Sequence, residues 1–254
     1  MTVILIVSGI IAPALSWIGY FYYKDRSQPE PVLNIAVTYI LGFAAAYVCF
    51  KSYSLLPLLG LPEDASILME EHGLPFLFYC LGVVGLLEEL LKFLPFILIV
   101  VRLKAFDERV DGIIYASVIA LGFASYENLH YLPLLDGFAL FGRAIASPLT
   151  HTIFASIWGY SAGLAYLKYK SDKSGQARWR TWMASIIGLI IASLFHGIFD
   201  YLTTSPTLRI VSTAVILAIW VWQLRRIDKL NQEDNGDKKV KKTPDTLDTR
   251  NNKE

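Results

Sequence analysis

Seven apolar runs, each about as long as a membrane-crossing helix, constrain the fold of this chain more than any other feature. A helix needs about 20 predominantly apolar residues to cross a bilayer, because each residue advances its axis by about 1.5 Å. Hydrophobic residues make up 54% of the 254 positions, and a soluble domain of this size would alternate polar and apolar residues more often. The runs cover residues 3–23, 32–50, 76–101, 113–135, 144–166, 183–202 and 208–224. We therefore predict an all-α fold, a polytopic transmembrane helical bundle of about seven spans.

The basic residues are divided unevenly between alternate connections. If all seven runs cross the membrane, one side receives Lys24, Arg26, Arg102, Lys104, Arg109, Lys168, Lys170, Lys173, Arg178, Arg180, Arg225, Arg226 and Lys229. The opposite side receives little beyond Lys51, Arg143 and Arg209. Cytoplasmic loops carry the excess of lysine and arginine, so we predict that the N-terminus lies outside and the C-terminus in the cytoplasm.

The composition of the chain changes after Arg226. The remaining residues are mainly Lys, Asp, Asn, Glu and Thr, and such a segment cannot bury enough apolar surface to fold alone. We predict a transmembrane domain over residues 1–226 and a disordered, charged cytoplasmic tail over residues 227–254.

Three ionisable residues interrupt the third apolar run. An ionisable side chain at the bilayer centre costs about 3 kcal/mol or more unless it finds a partner or a water-filled cavity. Lys92 lies four residues after Glu88 and three after Glu89, so it can neutralise one carboxylate. The other carboxylate remains available for proton transfer. A structural Glu–Lys pair is the alternative, but it leaves the second glutamate unexplained.

The next three runs carry further polar residues, namely Glu127, His151, His196 and Asp200. His196 and Asp200 are four residues apart and share a helix face, where the carboxylate could orient the imidazole. With the predicted orientation, Glu127, His151 and His196 each lie roughly 9 to 12 Å from the outer end of their helix. We therefore predict one polar cavity that opens toward the outer face.

At these residues the chain resembles the PrsW family of intramembrane proteases, which is related to the CAAX-protease and bacteriocin-processing superfamily. The resemblance covers about residues 76–202 and rests on Glu88-Glu89-x-x-Lys92, Phe123-x-x-x-Glu127, His151 and His196-x-x-x-Asp200. The wider superfamily has a histidine at the end of the second motif. This chain has Glu127 there, as PrsW-like members do, so the mechanism of the CAAX enzymes does not transfer directly.

The resemblance implies a multi-pass protease of a bacterial or archaeal cell membrane, with a catalytic core over about residues 76–202. The expected reaction is hydrolysis of peptide bonds in membrane-anchored proteins, such as an anti-sigma factor. The expected partners are that protein substrate and the lipid bilayer, and no nucleic acid. The predicted catalytic residues are Glu88, Glu89, Lys92, Glu127, His196 and Asp200.

Two mechanisms fit this set of residues. In the first, Glu127, His151 and His196 bind a zinc-like ion, and Glu88 or Glu89 acts as the general base. One oxygen and two nitrogen ligands without any cysteine are acceptable for zinc but not diagnostic. In the second, a glutamate activates water directly without a metal. In the metal version, Asp200 does not bind the ion itself but orients the imidazole of His196.

Other classes of membrane protein also bury charged residues. A proton- or ion-coupled transporter would use the same residue types, but the sequence has no inverted repeat and no matched pair of broken helices. A non-catalytic scaffold explains so many buried charges poorly, because interhelical hydrogen bonds contribute only about 0.6 kcal/mol each on average.

Overall fold

The structure is a computed structural model that describes residues 2–25, 28–69, 73–205 and 207–242, and its regular secondary structure in these ranges is entirely helical. This confirms the all-α prediction, and helices cover nearly all residues of the seven apolar runs. The α-helices are α1 (Thr2–Lys24), α2 (Val32–Tyr53), α3 (Ser66–Met69), α4 (Leu74–Tyr79), α5 (Leu86–Leu98), α6 (Asp111–Tyr131), α7 (Gly137–Ser171), α8 (Gly175–Thr204) and α9 (Arg209–Lys242).

Length and composition identify three helical segments in the described residues as able to cross a membrane. They are Val32–Tyr53, Gly175–Thr204 and Arg209–Gly236. The third apolar run differs because its α-helix α5 has only 13 residues, three of them charged. The count of seven spans and the orientation of the termini stay predictions.

Helix α6 forms the centre of the bundle. Every side chain from Asp111 to Ser125 is buried, because α1, α2, α5 and α7 pack around this helix. Small residues allow the closest approach: a Cβ atom on Gly112 would lie 2.3 Å from the carbonyl oxygen of Gly159 on α7. Such backbone contact between helices requires glycine at these positions. It fixes α6 and α7, which carry Glu127 and His151, against each other.

Helix α9 continues past the boundary predicted at residue 227. Ile227 and Leu230 are buried in the main hydrophobic core, and the Asp234 carboxylate accepts hydrogen bonds of 3.0 Å from the backbone N–H and the Nη1 of Arg109. Two apolar residues at helical spacing are enough to dock this turn, although the average composition predicted disorder. Residues 227–242 are therefore helical, residues 243–254 lie outside the described part of the chain, and the division of the chain at residue 227 stays a prediction.

Candidate active site

A π-helical segment, Cys80–Gly85, joins α4 to α5 immediately before the two glutamates. Short π-helical segments often occur at functional sites. This one lies directly on α8: a Cβ atom on Gly85 would be 2.3 Å from the carbonyl oxygen of Ser193. A Cβ atom on Gly197 would likewise be 2.4 Å from the carbonyl oxygen of Cys80. This contact brings the first turn of α5 beside His196.

The ammonium group of Lys92 lies at the centre of the polar cluster and is fully buried. Its Nζ is 2.8 Å from Glu89 Oε1, 3.3 Å from Glu88 Oε2 and 2.8 Å from His151 Nδ1. An ammonium has three N–H donors and no acceptor, so these three contacts use its donors. Because Lys92 can only donate, the Nδ1 of His151 accepts and its Nε2 carries the hydrogen.

The two glutamates differ in how fully they are bonded. Glu89 receives short hydrogen bonds from Lys92, from Trp158 Nε1 at 2.8 Å and from His196 Nδ1 at 2.9 Å. Glu88 has longer contacts, 3.3 Å to both the Tyr53 hydroxyl and Lys92. Both carboxylates therefore pair with Lys92, and Glu88 retains more capacity to accept another partner.

The imidazole of His196 is held from one side by Glu89. Its Nδ1 donates to Glu89 Oε1, which leaves Nε2 directed toward Glu88 Oε2 at 3.7 Å and Asp200 Oδ2 at 3.5 Å. The structure thus places Asp200 near the free nitrogen of the ring, whereas Glu89 holds the other nitrogen. Spacing along α8 could place Asp200 beside His196 but could not tell which nitrogen faces it.

Glu127 joins His151 to a residue outside the predicted set. Its Oε2 accepts from His151 Nε2 at 2.8 Å, and its Oε1 pairs with Arg143 Nη2 at 3.2 Å. The same guanidinium donates to Asn128 Oδ1 at 3.3 Å and lies 4.2 Å from the ring centre of Tyr131. The sequence placed Arg143 on the predicted outer side, and the predicted set of site residues does not include it. The only signal was its position among the few basic residues of the predicted outer side.

Sequence reasoning also missed two aromatic residues that bond the glutamates, Tyr53 and Trp158. Both stand in or beside apolar runs, where an aromatic side chain usually belongs to the core. The Trp158 side chain is fully buried, and its N–H donates to Glu89. A buried indole N–H usually needs an acceptor, but the sequence does not indicate which one.

Three buried residues can hold a metal ion together. Glu88, His151 and His196 each offer one ligand atom, and these atoms lie within 4.8 Å of one another. One carboxylate and two imidazoles form a known zinc ligand set. This group contains Glu88 where the predicted set has Glu127. A metal on His151 Nδ1 would require Lys92 to withdraw, and one on Nε2 would displace Glu127.

Comparison with known proteins identifies the family to which this chain belongs. The model of the family described as PrsW family intramembrane metalloprotease matches residues 30–224. Protease PrsW of Bacillus subtilis is 30% identical over 226 residues, covering 88% of this chain and 94% of that protein. Protease PrsW of Clostridioides difficile is 29% identical over 237 residues, covering 91% of this chain and 92% of that protein. No solved structure matches the chain. The family match spans every acidic and histidine residue of the site, and we conclude that this membrane protein belongs to the PrsW family of intramembrane metalloproteases.

Proposed function

We propose that the protein cleaves membrane-anchored proteins, such as an anti-sigma factor, at a site formed by Glu88, His151 and His196. The observation that supports this most directly is the convergence of their three ligand atoms within 4.8 Å in a buried setting. Membership of a protease family favours this function over the proton- or ion-coupled transporter that the same residue types also suggested.

Two carboxylates orient the imidazoles in this proposal. Glu89 accepts from His196 Nδ1, and Glu127 accepts from His151 Nε2. A histidine that binds a metal usually donates its other ring N–H to a carboxylate, which fixes its tautomer and direction. Both histidines have this arrangement, so His196 presents Nε2 and His151 presents Nδ1 to the centre of the cluster. Glu127 therefore acts as a supporting group, and Glu88 takes its place among the ligands.

A bound zinc ion would polarise the substrate carbonyl and make its bound water acidic enough to attack near neutral pH. The remaining chemistry belongs to side chains of this chain. Lys92 carries a positive charge beside the reacting centre and can stabilise negative charge on the attacked carbonyl oxygen. Asp200 has a side chain that is 30% exposed, so it can exchange protons with solvent and pass one to the departing amine.

A second mechanism without a metal is favoured by one contact. The Lys92 ammonium lies 2.8 Å from His151 Nδ1, where it occupies the position that a cation would need. In this mechanism Glu88 removes a proton from water, since it is the less fully bonded of the two glutamates. When its contact with His151 opens, the Lys92 ammonium can donate to the oxyanion, and Glu88 passes the proton that it took from water to the departing amine.

The test compares wild-type protein with the double variant Glu88→Gln/His196→Ala, purified in detergent. Metal content and cleavage of a membrane-anchored reporter are measured on the same samples. Control variants are Glu63→Gln and His130→Ala, which change exposed residues of the same two types. We expect near-stoichiometric metal in wild type and both controls, and loss of metal and cleavage in the double variant.

The other outcomes are equally decisive. Cleavage by wild-type protein after its metal has been removed would select the glutamate mechanism. Full cleavage by the double variant would exclude the proposed site altogether.

A further inference from the structure

Two carboxyl groups are buried against each other at the end of α6 opposite to Glu127. Asp111 begins α6, sixteen residues before Glu127, which corresponds to about 24 Å along the helix axis. Glu30 lies in the connection between α1 and α2. Asp111 is fully buried and Glu30 is 4% exposed, and their carboxyl groups lie within hydrogen-bonding reach of each other if one of them carries a proton.

The other bonds of this pair are donated by neutral groups. Asp111 Oδ2 accepts from the backbone N–H groups of Asp107 at 2.8 Å and Glu108 at 2.7 Å. The Tyr115 hydroxyl donates to Glu30 Oε2, while Asn34 Nδ2 donates to the Tyr115 oxygen at 3.3 Å. These bonds fasten Glu30 to α6 and Asp111 to the connection that precedes α6.

One oxygen of Asp111 lacks a hydrogen from the protein. Its Oδ1 is buried and receives no N–H or O–H in the described residues. An ionised carboxylate is only an acceptor, so two ionised carboxylates cannot bond to each other. A proton on one carboxyl group supplies the missing donor. Because Asp111 Oδ2 already accepts two backbone N–H bonds, a proton on the Glu30 carboxyl group can be donated to Asp111 Oδ1.

We propose that Glu30 and Asp111 form a proton-binding site, in which one shared proton fastens the α1–α2 connection to the start of α6. Its ligand is a hydrogen ion from the solution at this end of the bundle, and its residues are separate from those of the proposed active site. Loss of the proton would leave two ionised carboxylates side by side in a buried setting, where they repel. The connection would then detach from α6.

The surroundings of the pair favour retention of this proton. Burial raises the pKa of Glu30, and the charges of Asp107 and Glu108 act in the same direction, although bonds to Tyr115 and Asp111 oppose them. The titratable groups on the adjoining elements are Tyr22 and Asp25 beside the adjoining cavity, Tyr115, Asp107, Glu108 and Lys170 of α7. Lys170 donates to the Phe106 carbonyl oxygen at 3.1 Å. Glu30 therefore sits mainly among acidic groups.

The sign of the pH dependence follows from proton binding. Above the ordinary pKa of a glutamate, about 4.3, the folded protein holds the proton and the unfolded chain does not. Rising pH therefore destabilises the folded protein. A single proton of this kind changes the folding equilibrium constant by up to tenfold per pH unit.

The experiment measures unfolding of the full-length protein in mixed micelles between about pH 6 and pH 9, a range above the ordinary glutamate pKa. Wild type is compared with Glu30→Gln, whose amide donates to Asp111 without a titrating proton. The exposed Glu63→Gln variant is the control for the loss of one acid. We expect the stability of Glu30→Gln to fall less steeply with pH than wild type, by up to tenfold per pH unit, and Glu63→Gln to follow wild type.

The variant Asp111→Asn provides an independent reading if Glu30→Gln does not fold. Its amide oxygen can accept from the backbone while its amide nitrogen donates to Glu30, so its slope should also be shallower than that of wild type. Equal slopes in wild type and in whichever of the two variants folds would overturn the proposal. Protease activity is not the readout, so this result does not depend on the proposed function.

Discussion

The two ends of helix α6 bury acidic side chains in contrasting ways. At one end Glu127 is bonded to His151 and Arg143, and the nearby Glu89 is bonded to Lys92. At the other end Asp111 accepts hydrogen bonds from backbone N–H groups and lies beside the carboxyl group of Glu30.

The two kinds of partner suit two different roles of a buried carboxylate. Burying a charge requires compensation by partners, and cations provide it while leaving a carboxylate ionised and able to orient an imidazole. In the proposed Glu30–Asp111 pair, one shared proton instead removes one of the two negative charges and joins two segments of chain. The first arrangement suits a reaction site and the second suits a fastening between helices.

Among the variants considered, Lys92→Met should have the largest effect on the cluster at the Glu127 end of α6. Its ammonium compensates both Glu88 and Glu89, and removal of one partner from a buried ion pair costs about 3–5 kcal/mol. We expect loss of cleavage together with poor accumulation of the protein in membranes. The exposed Lys51→Met variant should accumulate normally, and normal accumulation of Lys92→Met would contradict a compensating role for its charge.

Changing each of the two adjacent glutamates to glutamine should affect stability differently, although both changes should lower cleavage. Glu89→Gln places an amide among three donors, Lys92, Trp158 and His196, so both stability and cleavage should fall. Glu88→Gln disturbs only longer contacts, of 3.3 Å to Tyr53 and Lys92 and 3.7 Å to His196. It should lower cleavage by at least about 100-fold, whether Glu88 acts as a metal ligand or, in the mechanism without a metal, as the general base, while the unfolding midpoint changes little. Equal losses of stability in the two variants would contradict the different roles proposed for Glu88 and Glu89.

Gly197→Ala tests whether contact between α8 and the π-helical segment positions the site. The added Cβ would lie 2.4 Å from the Cys80 carbonyl oxygen, so the two segments must move apart. We expect a loss of about 1–3 kcal/mol in stability and reduced cleavage. Gly82→Ala is the matched control because its added Cβ would have no atom of another packed segment within 4 Å in the described residues. Unchanged cleavage in Gly197→Ala would show that the contact is not needed.

Arg143→Gln should have a moderate effect, because Arg143 acts through Glu127 rather than on the reacting atoms. Loss of an outer support of a metal-binding histidine typically lowers metal affinity or activity by about 10–100-fold. Arg143→Lys should restore part of the activity, since it keeps the charge. The exposed Arg209→Gln variant serves as control. If Arg143→Gln cleaves as fast as wild type and is equally sensitive to a chelator, Arg143 does not support the site through Glu127.

A chain that ends at Gln232 should show the smallest effect. It loses Asp234, whose bond with the part-exposed Arg109 contributes about 1 kcal/mol or less. We expect a slightly lower unfolding midpoint and an unchanged cleavage rate in protein that has inserted correctly. Loss of cleavage would show that this end of α9 communicates with the site.

The sequence predicted the helices and the convergence of polar residues well. Apolar runs of this length predict helices directly. Acidic residues and histidines within such runs predict a common site, because each of them needs a polar partner. The pairing within the site was not predictable, since the rotation of the His196 ring and the approach of Trp158 to Glu89 depend on packing between helices. The helical end of α9 was not predictable for the same reason, because Ile227 and Leu230 pack against a core that forms only when distant helices come together.

The most direct test of the site is X-ray absorption spectroscopy of the metal-loaded protein, with Glu88→Ala and Glu127→Ala beside wild type. We predict two imidazole ligands and one carboxylate in wild type. Glu88→Ala should change this coordination, and Glu127→Ala should retain it at lower metal affinity. Coordination that survives in Glu88→Ala but is lost in Glu127→Ala would contradict the account, as would the failure of wild-type protein to bind a metal.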